Sequence, residues 1–401
     1  MTWDDRVVPK LHWSIDRTAH GFSKLGYQVV PRLMPQWRGV EVQRDVPYRR
    51  SGLPEHRLDV YRPSGKAQSL PTIFYVHGGA FSMMSKDTHA VMAYQLASHG
   101  YQVFMVNYRQ GVDHAYPRPI EDVCAALLWV LERGAELGAD LDRLALMGES
   151  AGANLTAALA YCVHNPRPEL FARAVYDRNV RVRCVLPMYG AHDMHDMERF
   201  WRDPRKRHRM ASWIKRTIVE MSVAYLGSAD PRRCPLASPL RLYRARPPKG
   251  ARRMPPFFMS AGTADPLLAD TIGLREALEA RGVDCELHVH RGEMHAFDVL
   301  LWRSAARAHW RAVFAFLERH LKPTIEALPA DAASHRVDDE GSEATSASTR
   351  RRARVQNVRP LPGHTSTVAP APKPPGTPPS VRPAPPPASP PDEPTASRVT
   401  G

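Results

Sequence analysis

The chain has 401 residues, of which 43% are apolar and 24% are charged, and its formal net charge is +14. No run of 18 apolar residues occurs and no apolar segment follows the acidic start of the chain, so we expect no membrane-spanning helix, no secretory signal and a cytoplasmic location. The basic surplus is densest at residues 205–209 but comes without a nucleic-acid-binding motif. We therefore expect no nucleic-acid partner, and favour a solvated helix face over a specific anionic partner.

Residues 1–55 are predicted to form an N-terminal helical segment and an edge strand. Residues 10–36 mix helix-forming and aromatic residues, which indicates one or two helices. Residues 40–46 and 56–61 then alternate polar and apolar side chains, a pattern typical of half-exposed strands. We expect these two strands to be antiparallel and to lie at the edge of a sheet.

Residues 56–325 are predicted to form the main domain, because apolar strands and helices alternate there. Apolar runs predict its further strands at 71–76, 101–108, 143–147, 182–189, 256–261 and 285–290. Helix-forming runs lie near 87–99, 119–137, 151–164, 267–281 and 301–321. This alternation predicts an α/β fold, in which a mostly parallel central sheet is covered by helices on both faces.

Residues 191–254 interrupt the alternation, because they hold no convincing core strand. Five side chains within them fall at helical spacing, namely Trp213, Ile214, Ile218, Met221 and Tyr225. An ordinary packed helix is the favoured interpretation for most of these side chains. The alternative is an insert that forms a cap over the functional site together with the N-terminal helices, since it follows a strand whose carboxyl end faces that site.

Residues 326–401 are predicted to be a disordered, proline-rich tail. From residue 331 onward the chain contains no Phe, Trp, Tyr or Ile, so it has too little apolar surface to offset the entropy of ordering. Its proline runs are typical of polyproline-II segments, which leaves open a partner that binds the tail. The sequence also leaves open whether the chain forms a homodimer.

Two short motifs point to the chemistry. Residues 148–152 read Gly-Glu-Ser-Ala-Gly between an apolar strand and an alanine-rich helix, which is the context of a turn that exposes a serine Oγ as a nucleophile. Residues 77–81 read His-Gly-Gly-Ala-Phe directly after a strand, and loops of this kind present backbone N–H groups to an oxyanion. Both motifs follow the carboxyl ends of strands, where open α/β sheets place their sites. Ser150 is therefore the candidate nucleophile.

A serine nucleophile needs a base within hydrogen-bond reach and an acid that orients the base. Asp265 lies in the turn after the next-to-last strand and is the candidate acid, although a turn or helix-capping role would explain it too. Asp270 and Asp284 are placed less well, one inside a helix and the other ahead of a strand. His295 lies in the loop after the last strand and is the candidate base.

A metal site is the alternative use of the histidines. One group that suggests it consists of His288, His290 and His295, and the other, in a polar loop, consists of His192, Asp193, His195 and Asp196. No cluster of carboxylates or cysteines supports the first group, and the second is typical of an ordinary polar loop. We therefore expect neither a metal nor an organic cofactor.

Six motifs, taken together, resemble the hormone-sensitive-lipase-like family of α/β-hydrolase fold esterases. They lie in one order between residues 56 and 321, at 77–81, 107–109, 117–122, 148–155, 265–267 and 295–297. The resemblance implies the α/β-hydrolase fold, with Ser150 as nucleophile, His295 as base and Asp265 as the acid that orients it. Among its departures from the family pattern, this chain has Glu149 where aspartate is frequent.

The resemblance also implies an oxyanion hole. Its donors would be the backbone N–H groups of Gly79, Ala80 and Ala151, with Gly78 shaping the loop. A third glycine is usual in the family where this chain has Ala80. A backbone donor survives that change, but the loop has less conformational freedom.

The implied activity is hydrolysis of small-molecule carboxylic esters with short or medium acyl chains. Aromatic side chains are expected to close the substrate pocket, namely Phe81, Trp201 and Trp213, with Trp13 and Phe22 from the N-terminal helices. Two alternatives remain open. One is an amidase-type relative such as an arylformamidase, and the other is a catalytically idle scaffold that acts through its proline-rich tail.

Overall fold

The computed structural model describes residues 35–65, 69–202 and 211–321. Three predicted features lie outside these ranges: the helices with Trp13 and Phe22, the basic run at 205–209 and the tail at 326–401. What the sequence predicts for them stays a prediction. Along the described ranges, no helix is long and apolar enough to cross a membrane.

One eight-stranded sheet organises the described residues. Its strands are β1 (Val40–Pro47), β2 (Arg57–Pro63), β3 (Leu70–Val76), β4 (Gln102–Val106), β5 (Ala139–Glu149), β6 (Val182–Met188), β7 (Phe257–Gly262) and β8 (Cys285–His290). Their order across the sheet is β1-β2-β4-β3-β5-β6-β7-β8. β2 is antiparallel to both β1 and β4, and all other neighbours are parallel. The predicted antiparallel edge and mostly parallel sheet are confirmed.

The helices of the described ranges follow the predicted alternation. They are α1 (Ala90–Ser98), α2 (Arg118–Arg133), α3 (Ala151–His164), α4 (Leu170–Asp177), α5 (Arg199–Arg202), α6 (Ser212–Leu226), α7 (Pro239–Arg244), α8 (Leu268–Glu279) and α9 (Ser304–Leu321). Helix α4 was not predicted from the sequence; it is only 8 residues long and buries Ala172 and Val175. The described part of the insert at 191–254 contains helices and no strand, as predicted.

Both faces of the sheet are covered, and β3 shows why. Successive side chains of a strand point to opposite faces, and those of β3 are buried on both. Phe74 and Val76 join the core formed with α2, α3, α7 and α8, whereas Ile73 and Tyr75 join the core formed with α1 and α9. The six parallel strands β3–β8 therefore end at one edge between two helical layers, and their following loops meet there.

Candidate active site

Ser150 lies in the tight turn between β5 and α3. Its φ and ψ are 54° and −118°, a conformation that persists only where surrounding structure holds it. The Ser150 N–H donates to the Met188 carbonyl at the end of β6 over 3.0 Å. A Cβ at Gly152 would overlap the Val76 carbonyl oxygen, so glycine alone lets this turn approach β3 so closely. The strained turn places the serine at the carboxyl edge of the sheet.

His295 lies between Ser150 and Asp265. Its Nε2 is 2.9 Å from Ser150 Oγ, and its Nδ1 is 2.8 Å from Asp265 Oδ2. The other carboxylate oxygen of Asp265 accepts the Leu267 N–H over 2.8 Å, which fixes the orientation of the carboxylate. With its proton on Nδ1, the imidazole has Nε2 available for the serine proton. The structure thus brings together three side chains that lie 30 and 145 residues apart in the chain.

The surroundings of His295 favour its protonated form. Burial lowers the pKa of the imidazole, but the charge and the hydrogen bond of Asp265 outweigh burial and raise the pKa above its usual value. Asp265 is 5% exposed, so little water screens its charge. An imidazole made more basic in this way is a better acceptor for a hydroxyl proton.

The loop after β3 lies against Ser150, because a Cβ added to Gly78 would be 3.2 Å from the serine Cβ. Gly79 has a φ of +126°, and Ala80 and Phe81 follow with φ values of 52° and 57°. Two non-glycine residues in succession therefore occupy the left-handed region, which costs about 1–2 kcal/mol for each. The N–H groups of Ser82 and Met83 close the turn by donating to the Gly79 carbonyl over 3.0 Å.

Three backbone N–H groups are unpaired beside Ser150. Among the described residues, the N–H groups of Gly79, Ala80 and Ala151 have no hydrogen-bond acceptor. Ala151 is the first residue of α3, where a helix N–H has no intrahelical partner. Gly78 differs, since its N–H is 3.4 Å from Glu149 Oε1 and so faces the carboxylate. The available donors are thus Gly79, Ala80 and Ala151, and Gly78 is bound to the serine turn.

Comparison with known proteins identifies the family. Residues 73–299 match the family model described as the alpha/beta hydrolase fold. The chain is 30% identical over 292 residues to carboxylesterase NlhH of Mycobacterium tuberculosis, an alignment that covers 71% of this chain and 84% of that relative. The chain belongs to the hormone-sensitive-lipase-like family of α/β-hydrolase esterases.

Two further relatives agree with this membership. The chain is 27% identical over 242 residues to an acetyl esterase of Salmonella paratyphi B, which covers 59% of this chain and 68% of that protein. The structure of esterase LipW from Mycobacterium marinum superposes with a TM-score of 0.62 at 22% identity, over 78% of this chain and 90% of that one, and this likeness shows the fold. The predicted fold, family and enzyme class, a carboxylic-ester hydrolase, are confirmed.

A cavity of about 870 Å³ opens beside Ser150 and His295 of this esterase. Its wall comes from α1 and the loop before it, from α6, and from the loops after β7 and β8. The apolar side chains of this wall include Met83, Met92, Ile218, Met221, Leu267 and Met294. This volume is near the upper end of the range for small-molecule binding sites, so it leaves room for both halves of an ester.

Of the three aromatic residues predicted to line the pocket in the described residues, only Trp213 does so. Trp213 lies on α6 at the cavity and is 69% exposed. Phe81 is fully buried and stacks on Tyr225 with ring centroids 3.9 Å apart, and Trp201 packs against the same core. The predictions for Phe81 and Trp201 were wrong, because a position beside the oxyanion loop or in the insert does not determine the side to which a ring points.

A buried polar group that was not predicted from the sequence lies behind the serine. Glu149 Oε1 is 3.0 Å from His89 Nε2, and Glu149 Oε2 accepts the Tyr75 hydroxyl over 2.9 Å. Burial raises the pKa of Glu149, but the charge and hydrogen bond of His89 outweigh burial and lower it, so the pair is a carboxylate and an imidazolium. A charged residue at the end of an otherwise apolar strand was the signal that could have revealed this group.

The two histidine groups considered for a metal do not converge on one point. Within the described ranges, no three His, Cys, Asp or Glu side chains are arranged to hold an ion. Asp193 instead accepts Arg241 Nε over 2.8 and 2.9 Å, and burial lowers the pKa of His192 to about 3. His288 stacks on Phe258 with ring centroids 4.9 Å apart. Their contacts in this esterase are those of packing and loop anchoring.

Proposed function

We propose that this esterase hydrolyses carboxylic esters of short to medium acyl chain through a triad of Ser150, His295 and Asp265. The observation that carries the proposal is the continuous hydrogen-bonded line from the carboxylate through the imidazole to the serine hydroxyl, at the wall of an apolar cavity. The same geometry serves acyl transfer on unrelated folds, and this chemistry needs no cofactor.

The reaction follows from the positions of these groups. Ser150 Oγ attacks the ester carbonyl while His295 Nε2 takes its proton, and Asp265 stabilises the imidazolium that forms. The oxygen of the tetrahedral intermediate is bound by the unpaired N–H groups beside the serine. His295 then donates its proton to the leaving alcohol, and an acyl-enzyme remains. Water, deprotonated by His295, releases the acid and restores Ser150.

The cavity wall favours substrates that are uncharged on both sides of the ester. The polar side chains at the wall already have partners: His89 is bound to Glu149, and the Thr88 hydroxyl donates to the Ser85 carbonyl over 2.8 Å. A charged acyl or alcohol group would lose its hydration there without gaining a partner. The printed names of the relatives, a carboxylesterase and an acetyl esterase, support the same class of substrate.

The proposal is tested by comparing p-nitrophenyl esters with aryl formamides on the same purified chain. We expect the esters to be hydrolysed at least about tenfold faster in kcat/KM, and a fluorophosphonate probe to label Ser150 alone. Faster formamide hydrolysis would favour the amidase-type alternative. An unlabelled and inactive chain would favour the scaffold that acts through its tail.

A substitution at Gly79 tests the oxyanion loop. A Cβ on this residue would overlap the Met83 carbonyl oxygen, and φ of +126° disfavours any side chain. Gly79→Ala should therefore displace a backbone donor and lower kcat by about 10²–10³-fold, as loss of one oxyanion donor does. The measurement is kcat on p-nitrophenyl butyrate together with the melting temperature.

Gly100→Ala is the matched control for that change. Gly100 also has a positive φ, of +95°, but a Cβ there meets no atom within 4 Å. It should lose about 1–2 kcal/mol of stability from backbone strain and keep its kcat. Equal kcat in the two variants would contradict the assignment of Gly79 to the oxyanion hole.

Trp213 is expected to limit the length of the acyl chain. In kcat/KM, the unaltered enzyme should prefer the p-nitrophenyl esters from acetate to hexanoate over the dodecanoate. Each methylene that fits the cavity gains at most ~0.8 kcal/mol of burial free energy. Trp213→Ala should shift the optimum to longer chains at little cost in stability, because this side chain lines the cavity and is largely exposed. An acyl-length series on the folded variant measures the shift.

Trp201→Ala is the matched control for Trp213→Ala. Trp201 packs against the core and is not part of the cavity wall, so its loss should lower the melting temperature and leave the chain-length profile unchanged. A shifted profile in this variant, or an unchanged one in Trp213→Ala, would contradict the assignment of Trp213.

Three broader expectations belong to this proposal. The insert at 191–254 is proposed to act as a cap, which is supported by the position of α6 along the cavity wall. A cytoplasmic location stays a prediction. A homodimer and a partner for the proline-rich tail stay predictions, and neither is needed for the reaction described above.

A further inference from the structure

One buried chain of hydrogen bonds touches three of the segments that the proposed reaction uses. Glu149 precedes Ser150 in the turn and faces the N–H of Gly78 in the oxyanion loop. Tyr189, directly after β6, lies between Glu149 and Asp298, and Asp298 comes three residues after His295. All three of these residues are at most 3% exposed. The serine turn, the oxyanion loop and the histidine loop are thus joined through a single tyrosine.

The hydrogens of this chain can be counted from its distances. The Tyr189 hydroxyl oxygen is 2.7 Å from Asp298 Oδ1 and 3.2 Å from Glu149 Oε2. Tyr189 keeps its proton, since burial raises the pKa of its hydroxyl. One hydroxyl carries one hydrogen and cannot donate to two carboxylates at once. A second proton must therefore lie on one of the two carboxyl groups.

Asp298 is the carboxyl that holds the second proton. Glu149 already receives hydrogen bonds from Tyr75 and His89, and it carries the negative charge that balances the imidazolium. Asp298 has less support, namely the contact with Tyr189 and a hydrogen bond from its own backbone N–H. Burial raises the pKa of Asp298 to about 7, and the charge of Glu149 adds to the effect. Among the described residues, Asp298 Oδ2 is buried without any hydrogen-bond partner.

The other elements packed against Asp298 do not supply a compensating charge. On α9, His309 Nε2 is 3.7 Å from Asp298 Oδ2, but burial lowers the pKa of His309 to about 3, so the ring is neutral. From β8, His290 packs on Phe297, and burial lowers the pKa of His290 as well. Two cationic neighbours remain, and each is paired elsewhere: His295 is bound to Asp265, and His89 is bound to Glu149.

We infer that Asp298 is a neutral carboxylic acid that donates to Tyr189, that Tyr189 donates to Glu149, and that this chain positions Ser150, Gly79 and His295 for the proposed reaction. The inference rests on the proposed triad for its catalytic consequence. Asp298, Tyr189 and Glu149 are positioning residues and do not touch the reacting atoms. If Asp298 lost its proton, Tyr189 could donate to one carboxylate only, and two negative charges would face each other behind the serine.

The protonation state is tested through the pH dependence of stability. Aspartate in an unfolded chain ionises near pH 4, whereas folded Asp298 keeps its proton up to about pH 7. Between these values the folded state binds more protons than the unfolded state, so this group lowers stability as pH rises. Asp298→Asn keeps a donor toward Tyr189 and does not titrate. Its melting temperature should therefore rise relative to that of the unaltered enzyme from about pH 4 to pH 7, and then level off.

Asp284→Asn, at an exposed aspartate, is the control, and its melting-temperature difference should stay flat over that range. A flat difference for Asp298→Asn would overturn the inference. Should that variant fail to fold, infrared spectroscopy of the unaltered enzyme decides instead. A protonated-carboxyl band that disappears near pH 7 is expected, and its absence at pH 5 would contradict the neutral acid.

The positioning role is tested by separating kcat from KM. Tyr189→Phe breaks the chain and should lower kcat by about 10–100-fold with KM unchanged within about threefold. Asp298→Asn, which preserves the donor, should keep kcat within about threefold at pH 7. Tyr243→Phe is the matched control, because it removes another buried hydroxyl, which donates to the Ala157 carbonyl over 3.0 Å on α3.

Two outcomes would overturn the role of the chain. One is a Tyr189→Phe variant as active as Tyr243→Phe, and the other is an Asp298→Asn variant as impaired as Tyr189→Phe. Failure of the proposed function looks different. In that case Ser150→Ala would keep its activity. The pH-dependent melting temperatures of Asp298→Asn would still show whether Asp298 is neutral.

Discussion

Replacing Ser150 by alanine is expected to lower kcat by about 10⁴–10⁶-fold, which is the scale of loss when the nucleophile of a triad is removed. The physical reason is that no other hydroxyl is hydrogen-bonded to His295 in the described residues. Folding should be unaffected, because alanine adopts the same strained turn as serine. The measurement is kcat on p-nitrophenyl butyrate, with the melting temperature and fluorophosphonate labelling alongside.

Two further variants sharpen that result. His295→Ala should lose a similar factor, and the double variant little more, because nucleophile and base act as a unit. Ser260→Ala is the matched control, since Ser260 is a buried serine whose hydroxyl has no partner among the described residues, and it should keep full activity. If Ser150→Ala kept more than a tenth of the original activity, the assignment of Ser150 as the nucleophile would be wrong.

Asp265→Asn is expected to lower kcat by about 10³–10⁴-fold, although the two side chains have nearly the same shape. The Leu267 N–H donates to Asp265 Oδ1, so the asparagine oxygen must take that position and its NH₂ must face His295 Nδ1. An NH₂ group there forces the histidine proton onto Nε2. In that tautomer the imidazole cannot accept the proton of Ser150.

The pH profile of the same variant provides a second measurement. The charge of Asp265 raises the pKa of His295, so its removal should lower that pKa. Because the neutral imidazole is the active form, the acidic limb of kcat/KM should move to lower pH in the variant. Asp284→Asn, at an exposed position, should change neither kcat nor the limb. An Asp265→Asn variant with normal kcat would assign Asp265 to the turn alone.

The sequence predicted most of what depends on local pattern. Strand β3 is a run of apolar and β-branched residues buried on both faces, and its pattern alone identified it. The turn at 148–152 could be recognised because a nucleophile between a strand and a helix has a steric need for small neighbours, visible in the letters themselves. The order of the loops that follow the strands then indicated Asp265 and His295 as the candidate acid and base.

The local sequence pattern did not predict the directions in which side chains point. Phe81 and Trp201 were predicted at the pocket and lie in the core, whereas Trp213 is at the cavity. Helix α4 was not predicted because, at 8 residues, it is short, and only two of its side chains are buried. Whether a ring faces the core or a cavity depends on elements far away in sequence, such as α6, whose Tyr225 stacks on Phe81.

By itself, then, the sequence predicted the sheet and the strained serine turn, because these follow from periodicity and from the sterics of a short turn. Asp265 and His295, the other two residues of the proposed triad, were predicted from their positions in the loops after the last two strands. The tertiary structure alone decided the shape of the cavity and the chain from Glu149 through Tyr189 to Asp298. Tyr189 is 40 residues from one carboxyl and 109 from the other. A proton shared over such separations depends on distances of a few ångströms between buried groups, and folding alone sets those distances.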